Sequence, residues 1–159
     1  MPHQPVIDGF EFAESGRVLK GELPVRDFPR LHDVLREYAG EIGYVVSGER
    51  DREGRLALRI ELRGTLSLNC QRCLQPMDLP VALDTVLTLA RSQFEGDADP
   101  VDSNIERVIA SKEMAVRDLL EDELLLSVPF APRHASCMTG GIGSTEGRSP
   151  FAKLRGLLG

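Results

Sequence analysis

Four side chains in this sequence have types and spacings that suit metal or thiol chemistry. Cys70 and Cys73 stand in "LNCQRCLQPMDLP", and His134 and Cys137 close "APRHASC". Three roles compete for the first pair. A redox pair needs a depressed thiol pKa, ordinarily supplied by a helix N-terminus after the motif. Here a strand pattern precedes Cys70 and another follows Pro76, so the redox role has no physical support. A C-x-x-C at a tight hairpin end presents two thiolates to one ion. With His134 and Cys137 the order reads C-x2-C, a long gap, H-x2-C, a ligand set that suits zinc. The third role is packing. Cys70 falls on the apolar side of its strand by parity, which favours small buried hydrophobes over ligands. The sequence favours packed, reduced thiols in a structural role, and the zinc set Cys70, Cys73, His134 and Cys137 is the alternative, with no cofactor required. If zinc is held there, stripping it should destabilise the domain.

No other constellation points to catalysis. His3, His32 and His134 lie far apart, and "GGIGSTEG" follows no strand and lacks the Lys of a phosphate loop. The chain reads as a non-enzyme. Net charge is −6 over 159 residues, which opposes sequence-independent binding to DNA or RNA, because phosphate contacts need Lys and Arg. Arg50, Arg52, Arg55, Arg59, Arg63 and Arg72 could still line a phosphate track on one sheet face, but Glu49, Asp51, Glu53 and Glu61 interleave with them. No signal segment or membrane-length apolar run is present, and three cysteines make no disulfide framework. The expected compartment is the cytoplasm.

The elements that must position these residues follow from periodicity. Even positions from Leu56 to Cys70 are apolar or Gly and odd ones mostly polar, which is one long strand with a single buried face. Leu79, Val81, Leu83, Leu87 and Leu89 continue the pattern after the turn. Pairing 70 with 77 and 62 with 85 joins the apolar faces and sets Arg63 opposite Asp84. Gly64 suggests a bend or bulge. Residues 42–49 add a third strand through a loop in which Gly54 takes the left-handed position. Residues 17–25 read as an edge strand and "IERVIA" as a short extra one. Helices are expected near 29–39 (stripe Leu31, Val34, Leu35, Tyr38) and 113–127 (stripe Val116, Leu119, Leu120, Leu124, with Ser111 as N-cap). The fold class is α+β: an antiparallel meander, or partly closed sheet, covered by two helices. Residues 1–137 form the domain. Residues 138–159 form a flexible linker and a short amphipathic helix whose apolar face docks on the core or on a partner. From Glu95 to Glu123 ten acids face three bases, either a solvated helix face with its loop or a docking surface for a basic partner.

"CQRCLQP", then "LLEDELLLSVPFAPRHASC", then "SPFAKLRGLL" resemble, in that order, the YceD family of large ribosomal RNA subunit accumulation proteins, from about Leu56 to the C-terminus. In that family a second Cys-x-x-Cys is common where this chain has His134 and Cys137. The resemblance implies a role in synthesis, processing or stability of large-subunit (23S) ribosomal RNA, hence ribosome biogenesis, with a ribosome-assembly component such as a basic ribosomal protein or a pre-rRNA particle as partner. Direct rRNA binding through the Arg50–Arg72 face, and a zinc-stabilised or thiol redox protein, are the alternatives.

Overall fold

The computed structural model describes residues 4–92 and 106–137. The first part of the acidic stretch, through residue 105, and the 138–159 tail expected above lie outside the described residues. The rest is mixed α+β. In chain order come β1 (Val6–Ile7), α1 (Gly9–Glu14), β2 (Val18–Pro24), two 3₁₀ turns (Val25–Asp27 and Pro29–Leu31), β3 (Glu41–Arg50), β4 (Leu56–Asn69), β5 (Pro76–Ala90), β6 (Arg107–Ile109), β7 (Met114–Ala115) and α2 (Val116–Ser127). The main sheet has the order β2-β3-β4-β5-β6, and β1 pairs separately with β7. The first four strands of the main sheet are antiparallel neighbours, and β6 lies parallel to β5.

Parity sets the buried face as expected. Ile42, Tyr44 and Val46 of β3, Leu58, Ile60, Leu62, Leu66 and Leu68 of β4, and Val81, Leu87 and Leu89 of β5 are buried together. α2 lays Val116, Leu119, Leu120 and Leu124 into that cluster. α1, capped by the Asp8 carboxylate, packs Phe12 and Ala13 over Gly48; a Cβ there would lie 2.7 Å from the Ala13 Cα, so only glycine admits the helix. Gly54 has φ 81° and closes the β3–β4 loop as anticipated. Asp51 pins that loop: its carboxylate accepts from the Glu53 and Arg55 amides, the Arg55 Nε and the Thr88 hydroxyl.

Several expectations need correction. The β4–β5 register pairs Leu62 with Leu83 and Leu68 with Met77, two residues from the expected one. A two-residue slip keeps every side chain on its face, so the core survives while the cross-strand partners change. Arg63 therefore faces Ala82, and it is Arg59 that reaches Asp84 diagonally, Nε to Oδ1 at 2.8 Å. There is no bulge at Gly64: pairing with β5 runs unbroken from Ala57 to Asn69. Its glycine is required because a Cβ would meet the Glu41 carbonyl oxygen and the Ile42 side chain.

The helix expected near 29–39 is absent. Beyond Arg63 the β3 side of β4 is free, and residues 36–37 pair with it: the Arg36 amide donates to the Ser67 carbonyl at 2.8 Å and Glu37 bridges Ser67. Leu31 and Leu35 are still buried, but Val34 and Tyr38 are exposed. α2 starts at Val116 after Ala115, and the Ser111 hydroxyl accepts only from the Glu113 amide. Nor is the acidic face of α2 wholly solvated. Glu121 is buried, and its carboxylate accepts from the Arg30 amide (2.7 Å) and the Arg30 Nε (2.9 Å), fastening the 25–38 segment to the helix.

Candidate metal centre

The β4–β5 hairpin ends in a six-residue loop, Cys70 to Gln75. The Cys70 amide donates to the Gln75 carbonyl and the Leu74 amide to the Cys70 carbonyl, both at 2.9 Å. Leu74 takes φ 60°, a conformation that non-glycine residues rarely adopt. This winding turns the side chains of Cys70 and Cys73 to one side. The segment after α2 returns to the same place because Pro129 and Pro132 hold it out of helix, and the Gln71 amide donates to the Pro132 carbonyl at 2.8 Å. The chain thus carries His134 and Cys137 to the hairpin end.

The ligand-type atoms of Cys70, Cys73, His134 and Cys137 all lie within 4.8 Å of one another. Cys70 Sγ is 3.5 Å from Cys137 Sγ, Cys73 Sγ is 3.3 Å from His134 Nδ1, and Cys137 Sγ is 3.7 Å from the same nitrogen. In a tetrahedral site with metal–sulfur bonds of about 2.3 Å and metal–nitrogen bonds of about 2.0 Å, neighbouring ligand atoms stand roughly 3.5–3.8 Å apart. The four residues are close enough to bind one metal ion. The outer contacts also suit a ligand set. His134 Nε2 lies 3.0 Å from the Pro76 carbonyl, so in the neutral ring that nitrogen carries the proton and Nδ1 is the free one, facing the Cys73 and Cys137 sulfurs.

The sulfurs sit in an uneven field. Burial opposes ionisation of Cys70, but backbone N–H groups of Cys73, His134 and Arg72 converge on its sulfur and bring its pKa down to about 5. The Arg72 guanidinium, with Nε 3.1 Å from Cys137 Sγ, lowers the Cys137 pKa, and His134 adds to the effect. Cys73 goes the other way. The Gln75 amide favours its thiolate, yet burial and the neighbouring sulfurs of Cys70 and Cys137 push its pKa up. His134 is raised, first by Cys137 and then by the Pro76 carbonyl. Three crowded sulfurs resist carrying three charges unless a cation joins them.

Arg72 is part of this centre, since it donates to both Cys137 Sγ and the His134 carbonyl. Its place between the two cysteines of "CQRC" was the available signal. The other arginines of the supposed track are largely committed. Arg55 pairs with Asp51 and Glu53, Arg59 with Asp84, and Arg50 donates to the Gly54 carbonyl. Among the described residues, no helix is long and apolar enough to cross a membrane.

Residues 58–158 match the family model described as large ribosomal RNA subunit accumulation protein YceD, well over half of the chain. The chain belongs to the YceD family. The match begins in β4 and takes in both halves of the Cys/His cluster. Membership carries a role in large ribosomal RNA subunit accumulation. No curated protein and no solved structure matches the chain.

Proposed function

We propose that this YceD-family chain supports large-subunit (23S) rRNA as a non-catalytic, cytoplasmic assembly factor that works by holding a basic protein component of the assembling particle. In this reading Cys70, Cys73, His134 and Cys137 hold a structural zinc ion. The observation that carries it is the convergence of four protein ligands from two distant segments on one point. Four protein ligands close a tetrahedral site and leave no position for substrate, the pattern of structural and not catalytic zinc. Three thiolates and one imidazole suit zinc over hard cations. The ion would tie the hairpin end to the segment after α2, making one rigid surface from two chain regions. Net charge −6 and the committed arginines favour a protein partner over direct rRNA contact. Elemental analysis of the full chain, purified without chelator or affinity metal, tests the site. About one zinc per chain, lost in Cys73→Ser, is expected. Zinc-free wild-type protein would leave the cysteines as packed thiols.

A further inference from the structure

Between α2 and the short β6 edge of the sheet runs an open groove of about 500 Å³. It exists because β6 is only three residues long, so the outer flank of α2 has little strand beneath it. Leu87, Val108 and Leu119 line its floor, and Leu126 stands at its side with 77% of its surface exposed. Glu106, Asp122 and Glu123 line the same groove, with Arg107 as the one basic side chain among the described residues that line it. Arg30 pairs with Asp122 and Glu121 from beside the groove, so three lining carboxylates against Arg107 and that shared guanidinium still leave it negative.

Glu123 is the unusual member. It is only 7% exposed, on a helix wall it shares with Leu119, Asp122, Leu125 and Leu126. Burial, then the charge of Glu106 and also that of Asp122, hold its carboxyl above the usual range, while a hydrogen bond from Thr85 works against them. An acid kept in a largely apolar wall near Glu106 and the Arg30-paired Asp122 is only partly relieved by its Thr85 hydrogen bond, and a cation seated there would be favoured. The exposed leucine beside them is unrelieved in the other sense. A ligand that satisfies both must be cationic and apolar at once. Phosphate-rich RNA and anionic lipid surfaces carry the wrong charge.

We infer that this groove docks a basic amphipathic segment of a protein partner, with an Arg or Lys among Glu106, Asp122 and Glu123 and an aliphatic side chain against Leu119 and Leu126. This rests on the protein-partner reading above and places that partner's contact. The recognition mode is a segment laid in a groove, with apolar anchors for affinity and charge for orientation.

The test uses the full chain, a cationic Leu/Lys peptide of about 15 residues and its Leu/Glu counterpart as probes. Binding is followed by leucine methyl NMR. The cationic peptide should shift Leu87, Leu119 and Leu126, and the acidic one should not bind. Leu126→Asp, at a position too exposed to disturb the fold, should weaken binding by about tenfold or more, and Glu123→Gln by several-fold. Shifts centred elsewhere, or equal affinity in both variants, overturn the proposal. So does finding that Leu126→Asp alone moves the resonances of residues 149–159, which would make the chain's own tail the occupant. Sedimentation with large-subunit assembly particles separates the two levels. Loss of binding in Leu126→Asp supports the groove. Retention equal to wild type sinks the groove and leaves the protein-partner reading intact, whereas wild-type binding to protein-free rRNA sinks that reading itself.

Discussion

Removing the proposed zinc ion should loosen one identifiable part of the molecule. Apart from contacts among the four candidate ligand side chains, the segment around residues 131–137 is joined to the hairpin end by a handful of polar bonds: Gln71 amide to Pro132 carbonyl, His134 Nε2–H to Pro76 carbonyl, the His134 amide to the Cys70 sulfur, and Arg72 to the His134 carbonyl and Cys137 sulfur. It contributes nothing to the central cluster of Leu58, Ile60, Leu62 and Leu124. In Cys137→Ser a thiolate is lost and Arg72 loses its sulfur partner. A ligand present at about 100 times its dissociation constant stabilises the folded state by about 2.7 kcal/mol. Over the 120 or so described residues, an unfolding entropy of about 2.1 cal/mol/K per residue turns that into a fall in Tm of about 10 °C. Local opening should become about 100-fold more frequent, because 2.7 kcal/mol is two factors of ten. Calorimetry and amide hydrogen exchange read the two quantities on the same sample. Exchange should rise at 70–75 and 131–137 well before the β4 core. Chelation of the wild-type protein should reproduce both effects. If Cys137→Ser and chelated wild type keep the Tm of untreated protein within about 2 °C, with unchanged exchange at the hairpin end, the clamp reasoning is refuted.

Three other positions give independent checks. Arg30→Met should cost about 2 kcal/mol, because the buried Glu121 keeps only the residue-30 amide; Arg30→Met with Glu121→Leu should recover most of it in denaturant melts. Gly48→Ala should destabilise by about 3 kcal/mol, since the added Cβ meets the α1 backbone, which cannot step aside as a side chain would. Burial works against the Asp51 carboxylate, but hydrogen bonds from Arg55 and Thr88 prevail and lower its pKa in the folded state. Its contribution is therefore complete above the unfolded value of about 4 and is lost as pH falls through the folded value. Asp51→Asn should cost about 2 kcal/mol at neutral pH and converge with wild type in acid.

The long strands were legible because fourteen residues of near-regular alternation, broken mainly by the buried Ala57, admit one main buried face. Their register was not, since a slip of two preserves that face and only the turn decides. The turn is closed by Leu74 in a left-handed conformation, and leucine gives none of the signal that glycine would. The stripe at 31, 34, 35 and 38 has true helical spacing, yet half of it is exposed. A free stretch of β4 edge offered the backbone hydrogen bonds of another kind, which local periodicity cannot register. α1 and the β1–β7 pair are too short to leave a pattern. The identities of the candidate ligands were readable from two short spacings, but their meeting was not, because nothing in either segment encodes the path between them. The acidic residues of α2 look alike in sequence. They differ in the fold because Arg30, 91 residues from Glu121, pairs with Glu121 and Asp122, while Glu123 is buried in the groove wall.

The claim that this factor acts through a protein surface is tested most directly by sedimentation of the full chain with large-subunit assembly particles and, separately, with protein-free 23S rRNA, at about 50 and 200 mM salt. The account predicts co-sedimentation with the particles and none with the naked rRNA at either salt concentration. Binding to naked rRNA that falls steeply between the two would mean direct phosphate contacts and would contradict it.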